Sequence, residues 1–344
     1  MKNPFSLIFG KEPLNPINRT TQINELIDDF LSETPSSQVY MITGVCGSGK
    51  TVALTTLSNT FREKSDWIVL DLNPGRDLLQ AMGAELCNRK NLIEIFKAAN
   101  LNLSIFGIGF NIRSEPPISD VVVALEKMLA ELTRKGKKIL ITIDEVSNSR
   151  FLREFISQYQ IFVRKNFNVF LLMIGLYENI YELQNEKTLT FLYRAPKLEL
   201  KPLNIVLIAE KYKEIFNLDD QKALEMAKVT KGYPFAFQVL GYLCFKNKIV
   251  WEKALPEFDA CLEEYVYEKI WSELSEKDRE ILMVMCTTNE TKINKIREGD
   301  NITSGTFSVY RKRLIKKGIV YAPNYGYLDF ILLRFREFVL RNID

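Results

Sequence analysis

Gly44, four intervening residues and Gly49-Lys50-Thr51 make up most of the stretch TGVCGSGKT. The spacing fits G-x-x-x-x-G-K-[ST], where glycines let successive backbone N–H groups curl around phosphate oxygens. Gly44, Gly47, Ser48 and Gly49 form that loop. Lys50 would reach the β and γ phosphates, Thr51 would offer its hydroxyl to Mg2+, and the following helix would add its positive N-terminal end. Such a site also needs a carboxylate at the end of a neighbouring buried strand. Lys137 to Glu145, KKILITIDE, supplies two. Asp144 would hold the magnesium through its water shell, and Glu145 would orient or polarise an attacking water. The predicted cofactors are therefore ATP and Mg2+.

Composition narrows what else could react. The chain of 344 residues has no histidine, which removes Ser-His-Asp and Cys-His catalysis, histidine metal sites and phosphorelay together. Five cysteines lack C-x-x-C spacing, so neither a zinc knuckle nor a disulfide framework is expected, and a reducing cytoplasm fits. No apolar run approaches a membrane span, so no membrane partner is expected. A net charge of +3 is too near neutral to imply a nucleic-acid partner, and any basic surface must be local.

The elements that must position these residues follow from apolar periodicity. Buried strands are predicted at 38–43, 67–71, 138–143, 168–174 and 196–200, with helices at 49–61, 76–98, 119–134 and 149–165 between them. Alternation of this kind implies a parallel sheet covered on both faces. Residues 100–118 break the rhythm and read as an inserted hairpin or loop. Beyond Pro202 helices take over, at 203–216, 219–230, 234–246 and 249–272. SEKD at 275–278 resembles a capping box. Short helices near 292–298 and 304–317 then precede two β-like pieces around Pro323-Asn324-Tyr325-Gly326, a winged-helix pattern.

The fold class predicted is α/β: a three-layer P-loop NTPase core with a helical lid and a C-terminal winged-helix domain. The boundaries expected are an N-terminal segment at 1–35, the core at 36–201, the lid at 202–264 and the winged helix at 265–344.

Together, TGVCGSGKT, KILITIDEV, FLLMIGLYENI, TFLYRAPKLELKPL and TKGYPFAFQVLGYL resemble a group of bacterial AAA-type ATP-binding proteins. That group is similar to archaeal, STAND and origin-recognition ATPases. The resemblance implies that Ile17-Asn18-Arg19 lines the adenine pocket, with a solvated turn before the helix at 22–31 as the alternative. It also implies that Arg194 senses the γ phosphate of its own or a neighbouring subunit, the latter in a nucleotide-dependent homo-oligomer; a surface arginine is the alternative. Gly232-Tyr233-Pro234 matches the glycine-x-proline turn of the lid, where Pro234 would touch the nucleotide; a plain helix start would look the same. Two positions depart from the family pattern. Met173-Ile174-Gly175 carries no polar sensor side chain, with Tyr177 or Asn179 as substitutes, and Cys46 stands where arginine is frequent.

On the helix at 304–317, Phe307, Tyr310 and Leu314 should face the core, leaving Ser308, Lys312 and Lys316 outward with Arg311 and Arg313 beside them. That face could follow a DNA backbone. Residues 261–344, however, hold 14 Lys or Arg against 13 Asp or Glu, which is far less basic than most DNA-binding domains. Duplex DNA and a protein partner both remain as targets. Three functions are carried forward: an ATP-binding, slowly hydrolysing switch acting on a partner, an ATP-dependent DNA-binding protein of origin-recognition type, and a nucleotide-dependent scaffold without turnover.

Overall fold

Five apolar runs, too buried to show alternation, pair as one parallel sheet in the computed structural model, which describes residues 2–8, 17, 20–101, 103–106, 120–289, 291–299 and 302–342. The chain divides into two compact units, Thr20–Thr43 with Lys50–Glu199, and Met1–Arg19 with Gly44–Gly49 and Leu200–Asp344.

The first unit runs α1 (Thr20–Leu31), β1 (Val39–Thr43), α2 (Lys50–Arg62), β2 (Trp67–Leu72), α3 (Leu78–Cys87), α4 (Lys90–Ala98), α5 (Val121–Arg134), β3 (Lys138–Ile143), α6 (Arg150–Arg164), β4 (Val169–Gly175), α7 (Tyr177–Gln184) and β5 (Lys197–Glu199). The strand order is β2-β3-β4-β1-β5. All five strands fall where apolar periodicity predicts them. β4 is buried along its whole length, as a strand covered on both faces must be. Asp120 and Ser149 cap α5 and α6 by accepting from backbone N–H groups of the first turn. The single helix expected at 76–98 is two: Arg89 takes an extended conformation (φ −94°, ψ 111°) and its guanidinium donates to the Val69 carbonyl. Most of the stretch 100–118 lies outside the described residues; within it Ser104–Phe106 forms one 3-10 turn.

Register levels the carboxyl ends of three strands. Thr43 of β1 stands opposite Gly175 of β4 on one side and Glu199 of β5 on the other, while Ile143 of β3 pairs with Met173. The residues following β1 and β3 therefore emerge at the same edge, where ligands of open parallel sheets bind.

The second unit contains α8 (Ile205–Phe216), α9 (Asp220–Val229), α10 (Pro234–Asn247) and α11 (Trp251–Leu262). A π turn, Glu263–Tyr267, joins α11 to α12 (Glu268–Ser272), so the helix expected at 249–272 is one rod with a widened turn. Then come α13 (Glu276–Thr287), α14 (Ile293–Gly299), α15 (Ser304–Lys316), the antiparallel pair β6 (Val320–Tyr321) and β7 (Asp329–Phe330), and α16 (Phe335–Arg341). The capping box is present, with Ser275 and Asp278 bonding reciprocally. Phe307 and Leu314 of α15 are buried as expected. One hydrophobic cluster runs from Phe5 and α8 through α10 and α11 to Phe335, Phe338 and Val339 of α16. Two ion pairs join α11 and the π turn to α16: Asp259 takes both ends of the Arg334 guanidinium, and Glu263 pairs with Arg341.

Candidate functional site

At the edge of the sheet, Lys50 is the first residue of α2 and Thr51 the second. The Thr51 hydroxyl donates to Asp144 Oδ2 at 2.9 Å, and the Glu145 N–H donates to Asp144 Oδ1 at 2.8 Å. Both carboxylate oxygens thus accept a hydrogen bond, one from a side chain and one from the backbone. The chain turns sharply here because Ile143 and Val146 are both fully buried, and the Val146 N–H returns to the sheet at the Ile174 carbonyl, 2.9 Å away. Closing that turn puts Glu145 in the left-handed region (φ 52°) with its side chain exposed. A non-glycine residue in that region carries strain, which is frequent at functional sites.

The donor set suits a hard cation. A threonine hydroxyl and an aspartate are oxygen ligands of the kind magnesium takes, with the rest of its octahedron from water and phosphate. Among the described residues no three His, Cys, Asp or Glu side chains converge as a cation cage. A metal at Thr51 and Asp144 would draw its remaining ligands from a bound phosphate and water.

At the end of β4, Ile174 is fully buried and a Cβ on Gly175 would meet Val146 Cγ2 at 2.9 Å and the Val146 carbonyl at 3.2 Å. A side chain at Gly175 would have to move Val146. Tyr177, one of the two expected substitutes, donates its hydroxyl to Glu199 Oε1 at 2.6 Å. Burial, reinforced by that carboxylate, pushes its phenol well above the usual range, so it stays protonated. Asn179 is half-buried. Arg194 ends the 3-10 turn Thr190–Arg194 and is exposed. Arg19 lies outside the described residues.

In the second unit the loop Gly44–Gly49 has the backbone an anion cradle needs. Ser48 N–H donates to the Val45 carbonyl at 3.2 Å, closing a turn with Gly47 at φ 72°, and Gly49 follows at φ 81°. Gly44 has no room for a side chain, since a Cβ would come within 2.5 Å of Ser48 Oγ. Ser48 Oγ is itself buried without a hydrogen-bond partner, an orphaned polar atom inside the loop. These features fit a phosphate group. Pro234 opens α10, and the preceding Gly232 (φ 75°) is locked by its carbonyl accepting from Leu203 N–H at 2.7 Å. Tyr233, between them, sends its buried hydroxyl to the Cys46 carbonyl of the loop.

Of the residues expected on the outer face of α15, Ser308 and Lys312 are exposed, Arg311 and Lys316 are half-buried, and Arg311 Nε is buried without a hydrogen-bond partner. Arg313 turns inward to buried Asp278, at 2.6 Å. Two contacts were missed from sequence. The Tyr177–Glu199 pair had no signal beyond both residues being polar at strand ends. The Tyr233–Cys46 bond joins residues 187 positions apart, and nothing in the Gly232-Tyr233-Pro234 motif signals it.

Comparison with known proteins supports the fold. A family model described as a domain of unknown function (DUF8462) matches residues 264–339. No curated protein matches the chain. The Walker-type ATPase PABY2304 of Pyrococcus abyssi superposes with a TM-score of 0.68 at 15% identity, covering 98% of this chain and 99% of that one. The Aeropyrum pernix ORC2 protein, solved as ADPNP–ADP complexes, superposes with a TM-score of 0.58 at 14% identity over 98% and 96% of the two chains. At these identities the likeness establishes the fold alone: the chain shares the architecture of these two proteins over nearly its whole length.

Proposed function

We propose that this chain binds ATP with Mg2+, hydrolyses it slowly, and uses the nucleotide state as a switch acting on a partner through its lid and C-terminal winged helix. The observation that carries the reading is the Thr51–Asp144 bond, made by the residue after Lys50 and the residue after a fully buried parallel strand. The loop N–H groups of Gly44 to Gly49 and the Lys50 ammonium would hold the phosphates, and Thr51 and Asp144 the metal. Magnesium bound there would neutralise charge on the β and γ phosphates. Glu145, exposed and one residue on from Asp144, is the carboxylate that orients the attacking water. The ORC2 protein solved with ADPNP and ADP lends support from a chain of like fold.

Slow turnover follows from what the end of β4 lacks. Buried Ile174 and the crowded Gly175 offer no hydrogen bond to a γ phosphate, and Tyr177 is engaged by Glu199. A switch is favoured over a scaffold because Gly44–Gly49 belong to the same compact unit as α8–α16. A change in the loop then bears directly on the helices that share its packing.

The test is phosphate release and calorimetry on three proteins. Lys50→Ala should lose ATP affinity, while Glu145→Gln should bind like the wild type and fail to turn over, because only the first removes a phosphate contact. Equal ATP affinity for the wild type and Lys50→Ala would sink the site assignment.

A further inference from the structure

The turn Val45-Cys46-Gly47-Ser48 has a property that its sequence does not announce. With Gly47 at its third position and φ 72°, it matches a type II β-turn. Types I and II differ mainly by a flip of the central peptide, here the bond between Cys46 and Gly47. In a trans peptide the carbonyl and the next N–H point in opposite directions, and the described residues contain no cis bond. Whatever holds the Cys46 carbonyl therefore decides where the Gly47 N–H points.

Tyr233 holds it. Its hydroxyl donates to the Cys46 carbonyl, and the ring lies flush against the turn: a Cβ added to Gly47 would run into Tyr233 Oη, would come within 2.8 Å of Tyr233 Cζ, and would stand 3.1 Å from Phe235 Cβ. The residue is 8% exposed, and burial keeps its phenol protonated, hence a donor. Its backbone is fixed as well, since Tyr233 N–H donates to the Thr230 carbonyl at 2.8 Å and the adjacent Gly232 is bonded to Leu203.

We propose that Tyr233 is a positioning residue for phosphate binding: by holding the Cys46 carbonyl it keeps the central peptide flipped, so that the Gly47 N–H faces the opposite side, where the loop gathers an anion. The proposal rests on the nucleotide reading above and deepens it. It makes the glycine-x-proline turn of the lid part of the phosphate grip through its middle residue. It also gives the lid a way to report phosphate: a lid that moves away from the loop frees the peptide to flip, and an occupied loop holds the peptide that Tyr233 recognises.

The experiment compares the wild type with Tyr233→Phe and Tyr233→Leu, measuring ATP–Mg2+ and ADP affinity by calorimetry and melting temperature without nucleotide. Phenylalanine keeps the ring and loses only the hydroxyl. Positioning predicts about tenfold weaker binding of both nucleotides with a nucleotide-free melting temperature close to that of the wild type. A purely structural role predicts that phenylalanine binds like the wild type and only leucine suffers, which would overturn the inference. Gly47→Ala in both backgrounds supplies an independent readout. The hydroxyl is the first atom the new Cβ would meet, so the alanine should cost less affinity in Tyr233→Phe than in the wild type, and strict additivity would count against the contact. If the wild type itself binds neither nucleotide, the nucleotide reading falls and this inference with it; if the wild type binds and Tyr233→Phe binds equally, the inference alone falls.

Discussion

The Thr51 hydroxyl donates to Asp144 Oδ2 across 2.9 Å, joining the second residue of α2 to the residue that follows β3. In a magnesium-binding role the threonine would exchange this hydrogen bond for the metal. Thr51→Ala and Asp144→Asn should therefore lose the magnesium-dependent part of ATP binding. Affinity measured with Mg2+ and with EDTA should differ by about tenfold or more in the wild type and by much less in either variant. Asp144 keeps the Glu145 N–H as a donor, so Thr51→Ala should cost no more than about 1 kcal/mol of stability. An unchanged magnesium effect in both variants would remove the metal from this pair.

Arg194 is expected to act on hydrolysis and not on binding. It is exposed at the end of a 3-10 turn, as an arginine reaching a γ phosphate from its own or a second copy of the chain would be. Arg194→Ala should reduce turnover by about tenfold or more, at 1.4 kcal/mol per decade, with ATP affinity unchanged. Mixing Arg194→Ala with Glu145→Gln protein tests action across copies: activity recovered in the mixture places the arginine in trans. Unchanged turnover in Arg194→Ala alone makes it an ordinary surface residue.

What could be read from sequence was local. The five strands were legible because each is a run of apolar residues, and the meeting of Thr51 with Asp144 because both stand at fixed spacings beyond predicted strands. The break at Arg89 was not, since it depends on a carbonyl of β2, at Val69, twenty residues earlier. Nor was the end of Tyr177's hydroxyl at Glu199, or that of Tyr233 at Cys46, 187 residues away. α16 did carry a signal: Phe335, Phe338 and Val339 recur at i, i+3 and i+4, and all three are buried. The inward turn of Arg313 was illegible for a different reason. Helical periodicity assigns a face, whereas buried Asp278 on α13 draws the guanidinium away from it.

The Asp259–Arg334 pair should govern the stability of the helical unit. Asp259 is 15% exposed in its side chain and Arg334 29%, and the contact is made through both carboxylate oxygens. Arg334→Ala leaves that carboxylate largely buried and unpaired, a loss of about 2 kcal/mol in urea unfolding. Arg334 also sits at φ 53°, so Arg334→Gly should be less damaging than Arg334→Ala by about 0.5 to 1 kcal/mol. Equal stability for wild type and both variants would show that the shared hydrophobic cluster and the Glu263–Arg341 pair hold this region to α16 without Arg334.

The last question is what the C-terminal surface touches. Of the basic residues of α15, Lys312 is exposed, Arg311 and Lys316 are half-buried, and Arg313 is neutralised by Asp278. Around Lys312 the helix offers Val309, 64% exposed, while Tyr325 projects fully at the tip of the ribbon and Tyr321 is 43% exposed. Apolar and aromatic side chains of this kind suit a protein partner, whereas a duplex would call for a row of exposed cations. Binding to duplex DNA should accordingly be weak, independent of ATP, and shallow in salt, with a log–log slope of about 1 to 2, since each neutralised phosphate contributes about 0.9. Removing Lys312 should take away about half of that slope. Sub-micromolar, ATP-dependent binding at physiological salt, with a slope several-fold steeper, would make duplex DNA the partner and reverse the choice.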